Sequence, residues 1–136
     1  VRIAKWLGDG CMVVSVDQLA AISFALELEH RSAEVCAPLS LRVGIASGRA
    51  LLFDGDDYIG SAVNMASRLC DLAGPFEVLM PKAMVEELPA GVVAHEYGEV
   101  ELRGFPDAIE VVELGGEPIH SPANDTGELW TRSPFN

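Results

Sequence analysis

Apolar and polar positions alternate along the first third of the chain in a pattern that predicts a β-hairpin followed by a helix. Residues 1–7 and 11–16 flank the turn Gly8-Asp9-Gly10, and two alternating segments around so short a turn favour a hairpin. Asp17 is typical of a helix N-cap, and residues 18–35 carry apolar side chains at helical spacing.

The remaining pattern predicts a second hairpin from residues 39–46 and 49–53, and an amphipathic helix over residues 61–73 that ends at Gly74-Pro75. A small helix is predicted over residues 81–88, and strands are predicted over residues 76–80, 92–95, 99–103 and 108–114. Hairpins mixed with helices indicate the α+β class, with a largely antiparallel sheet flanked by helices. Residues 115–136 are rich in Pro, Gly, Ser and Asn, which predicts a flexible C-terminal tail after a single domain over residues 1–114.

The amino-acid composition argues against several classes of binding partner. The 136 residues carry 9 Lys and Arg against 21 Asp and Glu, a formal net charge of −12. Nucleic acid phosphates repel a chain this acidic, so we expect no nucleic-acid partner. No apolar run approaches the ~18 residues of a membrane span, and we expect no membrane segment. Cys11, Cys36 and Cys70 have neither zinc nor disulfide spacing, which predicts small buried thiols in a reducing, cytoplasmic setting.

Two local arrangements carry chemical information. Lys5 and Asp9 place an ammonium and a carboxylate on the first hairpin, and a carboxylate at a glycine-flanked turn suits a hard cation such as Mg²⁺. Asp is also common at turns for structural reasons, so this segment alone leaves both interpretations open. Asn64 and Arg68 are four residues apart and share one helical face, where they can hold sugar or phosphate oxygens. The alternative is a solvated face on which Arg68 pairs with Asp71 or Asp57.

In their order and joint spacing, four segments resemble the catalytic domain of class III nucleotidyl cyclases, the adenylate and guanylate cyclases. These segments are residues 3–12 (IAKWLGDGCM), 41–48 (LRVGIASG), 57–69 (DYIGSAVNMASRL) and 101–105 (ELRGF). The likeness covers residues 1–114, and the joint spacing is far more specific than any one segment. It implies a ferredoxin-like cyclase fold.

The resemblance assigns purine recognition to Lys5 and Asp57. Adenine presents an acceptor at N1 and a donor at its exocyclic amine, so Lys5 can donate to the first and Asp57 can accept from the second. Guanine reverses the pattern at those edges. The pair therefore favours ATP over GTP as the substrate.

The resemblance also implies roles for the other polar residues. Asn64 positions the ribose, Arg68 stabilises charge that develops on the phosphate, and Arg103 meets the terminal phosphates at a position where Lys is usual. Asp9 is one of two aspartates that bind two Mg²⁺ or Mn²⁺ ions. The implied reaction is attack of the 3′-hydroxyl on the α-phosphate, which gives 3′,5′-cyclic AMP and pyrophosphate. The implied partner is a second cyclase domain, as in a head-to-tail homodimer with the site between the protomers.

The sequence departs from the family pattern before Asp9. Only eight residues precede it and none is acidic, whereas the family carries its other metal aspartate on an earlier strand. We therefore expect a cyclase fold lacking its first strand, with an unpaired position in the sheet, an exposed apolar face and an impaired metal site. The alternative function is a catalytically inactive homologue that acts as a nucleotide-binding or dimerisation module.

Overall fold

The computed structural model describes residues 1–53 and 57–118 and confirms the α+β class. The two helices are α1 (Gln18–Val35) and α2 (Ser61–Leu72). The strands are β1 (Arg2–Leu7), β2 (Gly10–Val14), β3 (Val43–Gly44), β4 (Leu51–Phe53), β5 (Asp57–Ile59), β6 (Val78–Pro81), β7 (Val92–Val100) and β8 (Ile109–Gly116).

The centre of the fold is a four-stranded sheet in the order β3-β6-β8-β7, with a helix on each face. β3 lies parallel to β6, and the other two pairs are antiparallel. Successive side chains of a strand point to opposite faces, so Val78 and Met80 pack with the buried residues of α1 while Leu79 packs with Leu69 of α2. The two helices therefore cover opposite faces of one sheet.

The predicted N-cap and limits of α1 are confirmed. The Asp17 carboxylate accepts hydrogen bonds from the backbone N–H of Leu19 at 3.0 Å and of Ala20 at 3.4 Å. At the other end, the Cys36 N–H donates to the Ser32 carbonyl at 2.8 Å. Both ends of the helix are thus set by local contacts.

The first hairpin is also confirmed, but it forms a two-stranded sheet of its own. β1 pairs with β2 in antiparallel register, with an irregularity between Ile3 and Lys5. Over the described ranges, no backbone ladder joins this hairpin to the four-stranded sheet. Trp6 and Leu7, near its turn, are 69% and 50% exposed. The hairpin therefore has no ladder to the four-stranded sheet and exposes apolar side chains near its turn. The unpaired position in the sheet stays a prediction.

The predicted second hairpin is wrong. β3 pairs with β6 instead of with the next strand, and β4 pairs with β5, with Phe53 opposite Asp57. The chain passes through α2 between β3 and β6, which returns it parallel to β3. There the Val43 N–H donates to the Glu77 carbonyl at 3.0 Å. Alternation identifies a strand but does not encode its partner.

Smaller differences lie toward the C-terminal end. The predicted strands over residues 92–95 and 99–103 form one strand, β7, which ends at Val100. The predicted small helix is one 3₁₀ turn, Lys82–Met84. β8 extends to Gly116, and residues 119–136 of the predicted tail lie outside the described residues. Neither described helix is long and apolar enough to cross a membrane.

The cysteines are only partly as predicted. Cys11 and Cys70 are half-buried, and this burial raises the pKa of each thiol. Cys36 is exposed, so its prediction as a buried thiol is wrong. It caps the C-terminal end of α1, beyond the part of the helix that packs on the sheet.

Candidate functional site

A cleft of about 200 Å³ lies between α2 and the turn that follows β7. Its lining residues are Ser61, Asn64, Arg68, Arg103, Gly104 and Phe105. The structure thus brings together Asn64, Arg68 and Arg103, which are half of the residues predicted from the sequence to form the site. They come from two segments well separated along the chain.

The helical wall of the cleft is one polar stripe of α2. Ser61, Asn64 and Arg68 are spaced by three and four residues, which places them on one face of a helix. Leu69 is fully buried among the apolar residues beneath the helix. The Arg68 guanidinium lies 3.8 Å from the Asp71 carboxylate, with the two side chains 42% and 72% exposed. So exposed a pair is weak, and Arg68 stays available to a ligand in the cleft.

The opposite wall is a turn held by two apolar side chains. Leu102 is buried and Phe105 packs partly buried against the same cluster as Leu69. The Phe105 N–H donates to the Leu102 carbonyl at 3.0 Å, and Gly104 has a left-handed φ of 91° that favours glycine. Arg103 lies between these anchors with its side chain at the cleft. The packing of Leu102 and Phe105 therefore sets the position of the Arg103 backbone.

The cleft concentrates positive charge in a strongly acidic chain. Arg68 and Arg103 both line it, and α2 begins there with no side-chain cap on its first amide groups. Uncapped first-turn amides carry partial positive charge, which adds to that of the two guanidinium groups. An anion with several oxygens, such as a phosphate chain, suits this arrangement.

None of the protein-family models matches the chain, but related proteins and structures do. An uncharacterized protein of Mycobacterium tuberculosis (strain H37Rv) is 33% identical over 118 residues, 86% of this chain and 30% of its own length. An adenylate cyclase of Streptomyces coelicolor is 39% identical over 87 residues, 64% of this chain and 23% of its own length. The chain thus spans less than a third of either relative.

A solved structure settles the fold. It is an adenylate cyclase from Trypanosoma brucei in its monomeric state, with a TM-score of 0.70 and 25% identity. The match covers 88% of this chain and 72% of that one. The similarity to adenylate cyclases in sequence and in structure supports a class III nucleotidyl cyclase domain. The cyclase fold predicted from the sequence is confirmed.

Of the other three predicted residues, two are not among those that line the cleft, and the third has only its backbone described. Lys5 is on β1 opposite Met12, and Asp9 is exposed in the hairpin turn. Neither is among the residues that line the cleft. Asp57 begins β5, close before α2 in the chain, and only its backbone is described. The roles of these three residues remain predictions.

The described residues do not fit the two-cation centre that the family implies. Among the side chains that the structure describes, no group of three His, Cys, Asp or Glu is arranged to hold a metal ion. Asp9 is the one acidic residue of the hairpin, and a pair of hard cations beside a triphosphate needs more oxygen ligands. Asp9 as a ligand of Mg²⁺ or Mn²⁺ stays a prediction.

Sequence reasoning missed Ser61 and Phe105. Ser61 precedes Asn64 by three residues, so the spacing that linked Asn64 to Arg68 contained the signal for it. Phe105 had no such signal, because its place at the cleft depends on packing against Leu69 and Leu102, which are distant in sequence.

Proposed function

We propose that this cyclase domain binds ATP in the cleft and takes part in converting it to 3′,5′-cyclic AMP and pyrophosphate, together with a second cyclase domain. The observation that carries the proposal is the convergence of Asn64, Arg68 and Arg103 on one cleft. The similarity to an adenylate cyclase of Streptomyces coelicolor supports an adenine nucleotide as the substrate.

Each cleft residue has chemistry suited to one part of ATP. The Asn64 amide can donate to and accept from ribose hydroxyls, and Arg103 can hold the terminal phosphates through its planar fork. In the reaction the 3′-hydroxyl loses its proton to solvent and its oxygen forms a bond to the α-phosphorus, while the bond from that phosphorus to the bridging oxygen breaks and pyrophosphate leaves. Arg68 is placed to stabilise the negative charge that develops on the α-phosphate oxygens.

The purine and the second domain complete the proposal. Lys5 and Asp57 would read the adenine edge, and a second copy of the domain would supply the remaining wall of the site. The separate hairpin of β1 and β2 and its exposed Trp6 leave a surface to which another domain can pack.

A second candidate function follows from the single hairpin carboxylate. A domain that has Asn64, Arg68 and Arg103 in place but carries one carboxylate, Asp9, on its described hairpin can bind nucleotide without turning it over. It would then act as a nucleotide-binding or dimerisation module beside an active cyclase domain.

One experiment separates the two candidates. ATP affinity is measured by titration calorimetry, and cyclic AMP by mass spectrometry, for the chain alone in Mg²⁺ and in Mn²⁺. The test variants are Arg68→Ala and Arg103→Ala. The control is Arg31→Ala, which removes an exposed arginine from α1 on the opposite face of the sheet. Each cleft variant should weaken ATP binding about tenfold or more, because a charge-assisted hydrogen bond contributes ~1.5–3 kcal/mol. The control should bind like the wild type.

The formation of cyclic AMP distinguishes the two candidate functions. Cyclic AMP that is lost in Arg68→Ala supports catalysis, and ATP binding without product selects the binding module. An ATP affinity that is absent, or equal in all three variants, would contradict both.

A further inference from the structure

We propose that Gly44 is a positioning residue for the cleft. The lack of a side chain at Gly44 lets α2 lie directly on β3, and this contact sets where Asn64 and Arg68 face Arg103. The effect on ATP rests on the proposed function, whereas the contact between the helix and the strand has a readout of its own.

The space at Gly44 is already filled by the backbone of α2. A Cβ added there would overlap the carbonyl oxygen of Ala66 and the amide nitrogen of Cys70, and would lie 2.9 Å from the Leu69 Cβ. The first two obstacles are backbone atoms, which cannot rotate away as a side chain can. The φ of Gly44 is not in the left-handed region, so the position requires glycine for space alone.

The Cys70 thiol, on α2, makes a second contact between this helix and the strand region. Cys70 donates from its Sγ to the Arg42 carbonyl, just before β3, at 3.4 Å. The helix backbone and the strand backbone therefore meet through Gly44 on one side and Cys70 on the other. We call this contact the helix seat.

The helix seat leads directly to the cleft. Leu69 lies beside Gly44 and belongs to the same buried cluster as Leu102, and Phe105 packs against that cluster. Arg68 precedes Leu69 in the helix. A helix lifted from β3 by a new methyl group would move Arg68 and Asn64 relative to Arg103, and a displacement of about 1 Å can cost about a hundredfold in a positioned site.

A second glycine gives a graded variant. A Cβ at Gly48 would lie 3.1 Å from the Cβ of Ala62, near the beginning of α2. This contact is tight but involves one methyl group, so a shift of a few tenths of an ångström relieves it. Gly48→Ala should therefore disturb the same helix less than Gly44→Ala does.

The test measures ATP affinity in Gly44→Ala, Gly48→Ala and the double variant Gly44→Ala/Arg68→Ala, under conditions where each is folded. A control, Ile22→Ala, removes a buried contact of α1 on the other face of the sheet. We expect a loss of affinity of about ten- to a hundredfold for Gly44→Ala, and a smaller loss, about two- to fivefold, for Gly48→Ala. Ile22→Ala should keep the wild-type affinity in its folded fraction.

The double variant separates positioning from general damage. If Gly44 acts through the placement of Arg68, the penalty of Gly44→Ala should shrink markedly once Arg68 is removed. Additive penalties, or a folded Gly44→Ala with wild-type affinity, would overturn the positioning role. If Gly44→Ala fails to fold, the double-mutant cycle is run with Gly48→Ala and Arg68→Ala. Additive penalties in that cycle would also overturn the positioning role.

A readout without nucleotide keeps this inference distinct from the proposed function. Opening the helix seat should speed alkylation of the half-buried Cys70 severalfold relative to the exposed Cys36 of the same molecule. An unchanged Cys70 rate in Gly44→Ala overturns the seat, whatever ATP does. A wild-type chain that binds no ATP overturns the proposed function, while the alkylation rates still decide whether Gly44 seats the helix.

Discussion

The two regions that carry the predicted site residues are built very differently. Asn64, Arg68 and Arg103 stand on a helix and a turn packed over the central sheet, on the fully buried Leu69. Lys5 and Asp9 stand on a two-stranded hairpin with an exposed Trp6, and no described ladder joins it to that sheet. The side of the site that we propose for the phosphates is therefore preorganised by packing within one chain.

This difference indicates which side chains of the site a single domain can hold in position without a partner. Side chains on α2 inherit their positions from the sheet through Leu69 and Gly44, so the cleft exists before a ligand arrives. A two-stranded hairpin alone is marginally stable in water, and its residues take their final positions only when something packs on it. Purine and metal recognition should thus depend on a partner more than phosphate recognition does.

The largest expected effect contrasts the two regions in stability. Leu69→Ala should lower the free energy of unfolding by about 2–5 kcal/mol, because it leaves a cavity in a fully buried site. Trp6→Ala, which removes a larger but exposed side chain, should cost less than about 1 kcal/mol. Urea unfolding followed by circular dichroism measures both. Equal losses would show that the hairpin is as well packed as the α2 region.

Thiol alkylation at increasing urea concentration compares the local stability of the hairpin with that of α2. Cys11 lies on the hairpin and Cys70 in α2, and both are half-buried. Cys11 should be alkylated through local opening, about tenfold or more faster than Cys70 and with little dependence on urea. Cys70 should need the opening of the sheet and show a steep dependence on urea. The exposed Cys36 gives the unprotected rate, and parallel urea dependences for Cys11 and Cys70 would break the contrast.

The smallest expected effect is the pH dependence contributed by Cys70. Burial, and then repulsion by the Asp71 carboxylate, raises the pKa of this thiol above its usual 9.0, so the folded state holds the proton more tightly than the unfolded chain. The contribution to stability is complete below the unfolded pKa and is lost as the pH rises through the raised folded pKa. Cys70→Ser should therefore make the alkaline decline in stability shallower. A decline as steep as that of the wild type would contradict this.

Local signals explain what was predictable in the fold. Asp17 and the apolar spacing after it predicted α1 to its limits, because capping and helical periodicity act over a few residues. The partner of β3 was not predictable in this way. Its pairing with β6 depends on the path through α2, and alternation along residues 39–53 carries no information about that path.

The residues of the candidate site also include some that local sequence patterns predicted and some that they did not. Asn64 and Arg68 were predicted together from their spacing on one helix, and they do share the cleft. The place of Arg103 came from the family resemblance, since no pattern within residues 101–105 links that turn to α2. Gly44 and Phe105 matter through contacts between distant segments, and only the structure reveals those contacts.

The most direct test of the central claim is an NMR titration of the isotope-labelled chain with ATP, following backbone amides and arginine side-chain N–H groups. We expect chemical-shift changes centred on residues 61–68 and 103–105, including the side chains of Arg68 and Arg103, and no comparable change on α1. Changes centred elsewhere on the central sheet, with Arg68 and Arg103 unperturbed at saturating ATP, would contradict the claim that these side chains converge on the nucleotide.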